Sequence, residues 1–349
     1  MSFDCTNYES CPKWNSYNEQ IYKKTFNYLF VGCWGVYCKY GINPVVKYKK
    51  DFIYDKGTYG QKYVVDSMIK YTNENGQVDA VILAGDNVYS DIPDQERMRL
   101  IEEGTESIYN IERQISIGFE KCMKYVNTKE FLLGIGNHDI ENCHILNKQI
   151  NYDGWRMPGI AYNILYKTDE MTINLIFIDT NMYEQKWCQG MYPEYAISEQ
   201  RAWLDKVLIN NNNIGYWNIV IGHIPFIANP HKKIDDNDVV KPRMEKILYK
   251  LIQDYANKID LYMCADEHNQ QYITVPNMPP QVIAGSGGAL LDENIYTNSY
   301  LNEYTQLYRS TFGFVSTEIT STSINLGFYG VKEYPEHNNV RSFQIVKNI

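Results

Sequence analysis

Six short apolar runs, each closing on glycine or on a polar residue, constrain this chain more than any other feature. They are NYLFVGCWG, VDAVILAGDN, FLLGIGNHD, MTINLIFIDT, WNIVIGHIPF and DLYMCADEH. Consecutive apolar residues over four to eight positions mark strands buried on both faces, and a Gly-polar terminus marks a sharp turn at the strand end. Between them lie helical patterns. YGQKYVVDSMIKYTNENG has 3.6-residue spacing and stops at Gly76. SEQRAWLDKVLINN reads as a helix with Ser198 as its N-cap, and VVKPRMEKILYKLIQDYANKI as another. Residues 94–127 alternate apolar and charged side chains and read as one or two surface helices. The C-terminal part, through QVIAGSGG, FGFVSTEITSTSINLGFYG and FQIVK, is strand after strand.

Strands alternating with helices imply an α/β (α+β) chain, with a mixed sheet covered by helices and a second sheet packed on the first. No linker-like run divides it, so the expectation is a polar N-terminal leader over 1–26 and a single domain over 27–349. With 349 residues, 44% of them hydrophobic, there is ample material for such a core. A net charge of −9 argues against a nucleic-acid groove. No stretch approaches the roughly 18 apolar residues of a spanning helix, and the first residues carry no apolar signal segment. A soluble protein is expected; its compartment is left open. The eight scattered cysteines do not read as a disulfide framework. Cys5 and Cys11 make a possible bridge in an oxidising compartment, and free thiols are the simpler expectation.

Polar residues gather at the C-terminal ends of the apolar runs, where open α/β sheets place their ligands. In chain order they are Cys33; Asp86 with Tyr89; Asn137, His138 and Asp139; His223; and Asp266, Glu267 and His268. Three of the six histidines of the chain fall in this set. Imidazole, carboxylate, amide oxygen and phenolate together are a donor set for hard or borderline cations. His144, His231 and His337 have no such block around them and read as surface residues, His231 with a second reading at the cleft mouth. The 31 tyrosines read as packing rather than as a stacking platform.

The order of these blocks resembles the purple acid phosphatase branch of the calcineurin-like metallophosphoesterases. Its G-D-x-G, G-D-x-x-Y, G-N-H-E/D, V-x-x-H and G-H-x-H stand here as GCWG, GDNVY, GNHD, VIGH and ADEH. The likeness covers residues 28–288. It implies a four-layer β-sandwich, two mixed sheets flanked by helices, and a centre of two divalent metal ions (Zn, Fe, Mn or Mg). Asp86 would bridge the metals, Tyr89 and His268 would serve the first, and Asn137 and His223 the second. His138 would face the substrate phosphate and assist the leaving group, with Asp139 orienting it. The activity implied is hydrolysis of phosphate monoesters by a metal-bound hydroxide.

Two positions depart from the pattern. Cys33 replaces an aspartate at the first metal, and a thiolate there favours zinc or ferrous iron over ferric iron. Asp266 replaces a histidine at the second, adding negative charge that opposes a phosphate dianion. Each also reads as structural, Cys33 as an inert buried thiol and Asp266 as a turn carboxylate. Two functions therefore follow: a metal-dependent phosphatase with a divergent centre acting on a phosphate ester, or a catalytically impaired pseudophosphatase serving as a scaffold or protein-partner module.

Overall fold

The computed structural model describes residues 8–35, 60–89, 115–140, 143–183, 192–208, 215–229, 243–289, 291–292, 300–333, 336–337 and 340–347. Two sheets carry the fold. The first has eight strands in the order β1 (Asn15–Gln20), β5 (Tyr162–Lys167), β6 (Thr172–Phe177), β7 (Tyr216–Ile221), β10 (Leu261–Cys264), β12 (Gln281–Ala284), β11 (Gln270–Ile273) and β13 (Thr305–Arg309). The second has β16 (Glu336–His337), β15 (Ser323–Glu333), β14 (Gly313–Ile319), β2 (Phe26–Val31), β3 (Val78–Ala84) and β4 (Thr128–Gly134), with β17 (Arg341–Val346) also paired to β15. Both are mixed: β2–β3–β4 and β6–β7–β10–β12 run parallel, while β14, β15 and β17 are antiparallel. A two-residue ribbon joins β8 (Ile227–Ala228) to β9 (Arg243–Met244).

Alternation of side chains divides the core into layers. Phe26, Tyr28 and Phe30 of β2 join Ala80 and Ile82 of β3 and Trp217, Ile219 and Ile221 of β7 in the cluster between the sheets. The intervening Leu29, Val31, Val81, Leu83 and Val220 belong to the outer cluster, which includes Val64, Val65 and Met68 of helix α1 (Gln61–Asn75). Burial on both faces is why these strands are continuous apolar runs. The outer cluster also holds Leu146 of α2 (Cys143–Ile150), Trp203 and Leu204 of α3 (Ala196–Val207), and Leu248, Leu251 and Ile252 of α4 (Lys246–Asp254). Two mixed sheets flanked by helices are thus the architecture expected from the sequence.

Details differ. Residues 15–20 of the polar leader form β1, parallel to β5 at the edge of the first sheet. Ser198 is not an N-cap: α3 begins at Ala196, and the Ser198 hydroxyl donates to the Tyr195 carbonyl at 2.7 Å from inside the first turn. The third helix is shorter than its pattern, since Arg243–Met244 is extended. Of the stretch read as surface helices, 94–114 lies outside the described residues. Its remainder holds a π-turn over Ile115–Glu120, whose Phe119 is buried among Phe131, Tyr152 and Trp155, and a 3-10 turn over Met123–Tyr125. Cys11 and Cys122 are disulfide-bonded, against the expectation of free thiols, whereas Cys33 and Cys264 are buried and not in disulfides. Among the described residues no helix is long and apolar enough to cross a membrane.

Candidate metal centre

Every candidate residue sits just past the C-terminal end of a strand: Cys33 after β2, Asp86 and Tyr89 after β3, Asn137 to Asp139 after β4, His223 after β7, and Asp266 to His268 after β10. Backbone hydrogen bonds stitch these turns together. Cys33 N–H donates to the Gly85 carbonyl at 3.0 Å, Gly35 N–H to Asp86 at 2.9 Å, and Ala265 N–H to His223 at 2.9 Å. Gly85 has φ 85°, and a Cβ there would stand 2.6 Å from His223 Nδ1, so only glycine lets this turn pass the imidazole.

Three of the five non-glycine residues with positive φ among the described residues are Cys33 (52°), Asp86 (51°) and Asp266 (61°). A side chain in the left-handed region costs energy, and such outliers collect where a side chain must be aimed rather than packed. Here Cys33 and Asp86 meet at one point with His223, whose Nε2 Asp266 also faces. Ligand atoms of Cys33, Asp86 and His223 lie within 4.8 Å of one another, and all three residues are buried. His223 Nε2 is 3.3 Å from Asp86 Oδ1 and 3.6 Å from Asp266 Oδ1. Tyr89 Oη is 3.5 Å from His268 Nε2, and the Tyr89 and His138 rings have centroids 4.5 Å apart.

The donor chemistry fits a cation. His223 Nδ1 lies 2.7 Å from the Ala84 carbonyl, which can only accept, so Nδ1 carries a hydrogen and Nε2 is the nitrogen turned toward Asp86. The Asn137 Oδ1 is buried without a hydrogen-bond partner, and Nε2 faces the Asp86 and Asp266 carboxylates. A buried acceptor without a partner is costly, and a cation would satisfy it. Charges in the cluster lean on one another. Burial opposes charge on Asp86, but the His223 and His138 imidazoles outweigh it and hold the carboxyl below its usual range. Burial likewise opposes charge on His223, yet Asp86 and Asp266 raise its pKa to about 9. Burial and then Asp86 push both the Cys33 thiol and the Tyr89 phenol upward.

Asp139 sits in a dense set of donors. Its carboxylate accepts from the N–H groups of Gly136 (2.7 Å), Asn87 (2.9 Å) and Val88 (3.2 Å) and from the side chains of Asn87 (3.1 Å) and Gln149 (3.0 Å). It ties the GNHD turn, which carries His138, to the GDNVY turn. The ring's own turn is fixed by His138 N–H donating to Asp86 Oδ1 at 3.1 Å. Burial and the Asp86 charge push the Asp139 carboxyl up to about 7.

Supporting residues were missed by the motif reading. Asn87 accepts from Trp34 Nε1 at 2.8 Å, and Thr180 Oγ1 accepts from the N–H groups of His223 (3.2 Å) and Ile224 (3.0 Å). Their signal was position: Trp34 and Asn87 lie inside two motifs, and Thr180 ends the IFIDT run. Glu267 is buried. His231 lies outside the described residues, as do the side chains of His144 and His337.

A calcineurin-like phosphoesterase family profile matches residues 26–270, about 70% of the chain and all of the residues assembled above. The chain belongs to the calcineurin-like phosphoesterase family. Within that family it is purple acid phosphatase-like. It is 24% identical to purple acid phosphatase 4 of Arabidopsis thaliana over 284 residues, covering 79% of this chain and 77% of that protein. Purple acid phosphatase 3 of the same plant is 20% identical over 329 residues, covering 92% and 78%. Purple acid phosphatase PPD1 from yellow lupin (Lupinus luteus) seeds shares the fold with a TM-score of 0.61 at 14% identity, over 97% of this chain and 55% of that one. GAP50, the anchor in the inner membrane complex of Plasmodium, shares it with a TM-score of 0.60 at 17% identity, over 93% and 90%. The family implies divalent metal cofactors, and the donor set described here suits such ions.

Proposed function

We propose that this phosphoesterase hydrolyses phosphate monoesters at a divergent di-metal centre. The observation that carries the reading is the buried meeting of Cys33, Asp86 and His223 ligand atoms within 4.8 Å of one another, with the buried Asn137 Oδ1 left without a partner on the neighbouring turn. Asp86 would sit between two divalent cations (Zn, Fe, Mn or Mg), with Cys33, Tyr89 and His268 on one and Asn137, His223 and Asp266 on the other. What such cations supply when bound is charge stabilisation at the phosphoryl oxygens and activation of water. The chain's own work is to orient and to move a proton. His138, on a turn fixed by Asp86 and Asp139, faces the ester and delivers a proton to the departing alkoxide. Asp266 lowers the net positive charge of the centre, so turnover slower than that of a histidine-bearing relative is expected.

The experiment is metal analysis of the purified protein joined to phosphate release from p-nitrophenyl phosphate. Bound metal with turnover in zinc, manganese, magnesium or iron supports the reading. Substoichiometric metal and no turnover in any of them ends it.

One finding favours a second reading. Cys33 and Asp266 replace one standard ligand on each metal, and the fold is shared with GAP50, whose own role is that of an anchor. A scaffold or partner-binding pseudophosphatase would keep its melting temperature on chelation. A chelator-induced fall would count against it, because a ligand bound only by the native state stabilises it.

A further inference from the structure

Arg309 and Arg341 stand apart from the other arginines whose side chains are described. Arg156 pairs with Glu19 at 2.9 Å and Glu130 at 3.4 Å, and Arg201 with Asp254 at 2.8 Å. Among the described residues neither Arg309 nor Arg341 has a carboxylate partner, and Arg309 Nη1 is buried with no hydrogen-bond acceptor. An uncompensated guanidinium in a partly buried place is costly, and a second cation beside it adds to the cost.

Topology brings the two together where the sheets meet. Arg309 ends β13 and pairs with Gln270 of β11, whose side-chain amide donates to the Tyr329 carbonyl of β15 at 3.0 Å. The next residue of β15, Gly330, lies against the guanidinium: a Cβ there would be 2.8 Å from Arg309 Nη1. Arg341 opens β17, opposite Phe328 of the same β15. Two residues on, Phe343 packs on Tyr272 of β11 at 4.5 Å and on Phe328 at 5.7 Å. Alternate residues of a strand share a face, so Arg341 looks toward the sheet edge that Phe343 covers. Both cations therefore flank the Phe328–Gly330 stretch, Arg309 half-buried and Arg341 exposed to solvent. Burial, and then the Arg341 charge, hold the Arg309 guanidinium below its ordinary pKa.

We propose that Arg309 and Arg341 form a receptor for a phosphate-class oxyanion at the junction of the two sheets. Planar guanidinium groups offer forked donors that match such an ion, and its charge would relieve their mutual repulsion. Solvent reaches the site along Arg341, so the ion can arrive free or as the headgroup of a larger molecule.

The test is site-resolved labelling of arginine by phenylglyoxal, read by peptide mass spectrometry, in inorganic phosphate against chloride at matched ionic strength. Phosphate is expected to slow labelling of Arg309 and Arg341 several-fold while leaving the reference Arg201 unchanged. Equal slowing at Arg201, or none at the pair, overturns the proposal. Protection also by phenylphosphonate, which cannot be hydrolysed, supports a headgroup on a larger ligand; protection by phosphate alone supports the free ion. The variant Arg309→Met adds a separate reading. Its midpoint of unfolding is expected to rise above wild type in chloride, and the gap to narrow in phosphate. A wild-type midpoint that gains nothing on the variant in phosphate contradicts the site.

Discussion

His223 and Asp86 meet edge to edge, with Nε2 3.3 Å from Oδ1 while the other imidazole nitrogen is committed to the Ala84 carbonyl. The pair joins β7 to β3, so one side chain from each of two sheets faces the same point. Replacing His223 by alanine removes an imidazole aimed at the Asp86 carboxylate. Metal retained after dialysis, read by elemental analysis, is expected to fall by more than the roughly 10–100-fold that supporting contacts alone command.

In the proposed centre, Cys33 would set which metals are preferred. Sulfur favours thiophilic ions, so Cys33→Ser is expected to lose zinc in competition with a chromogenic chelator. Cys33→Asp is expected to retain a metal and to shift preference toward manganese and magnesium.

Asp139 acts on the backbone. Asparagine in its place turns one acceptor oxygen into a donor against the Gly136 N–H or the Asn87 amide. A loss of about 1–3 kcal/mol in denaturant unfolding is expected for each polar group left unpaired.

The motifs made the centre readable because each metal-type side chain must sit at a strand end, and glycine must bend the chain there. Their supports were less readable. Asp139 is bonded by groups from GDNVY and α2, which no linear pattern links. β1 is polar because its side chains alternate between intermediate and exposed at a sheet edge, so it lacks the apolar run that marks β2. Ser198 carries the right chemistry for a cap, but the helix starts two residues earlier.

A buried amide ladder crosses the first sheet away from the centre. Ser16 Oγ donates to Asn163, Asn163 Nδ2 to Asn174 (2.9 Å), Asn174 Nδ2 to Asn218 (3.0 Å) and Asn218 Nδ2 to the Lys258 carbonyl (2.8 Å). Asn174→Ala strands an amide on either side. It is expected to cost about 1–3 kcal/mol per stranded group in chemical denaturation, with metal content unchanged.

Asp179 sets a pH dependence of stability. Burial raises its carboxyl to about 6 against the pull of Tyr192 and Asn181. The native state therefore holds a proton that the unfolded chain has lost between its ordinary value of 3.8 and about 6. Stability from this group falls as pH rises through that window. Asp179→Asn is expected to flatten that slope in midpoints measured from pH 4 to pH 7. An unchanged slope would contradict the assignment.

Anomalous diffraction at the zinc edge, from crystals grown with zinc, tests the centre most directly. The expected result is a peak enclosed by Cys33 Sγ, an Asp86 carboxylate oxygen and His223 Nε2. A featureless map there, or a peak held only by surface residues, would contradict the account.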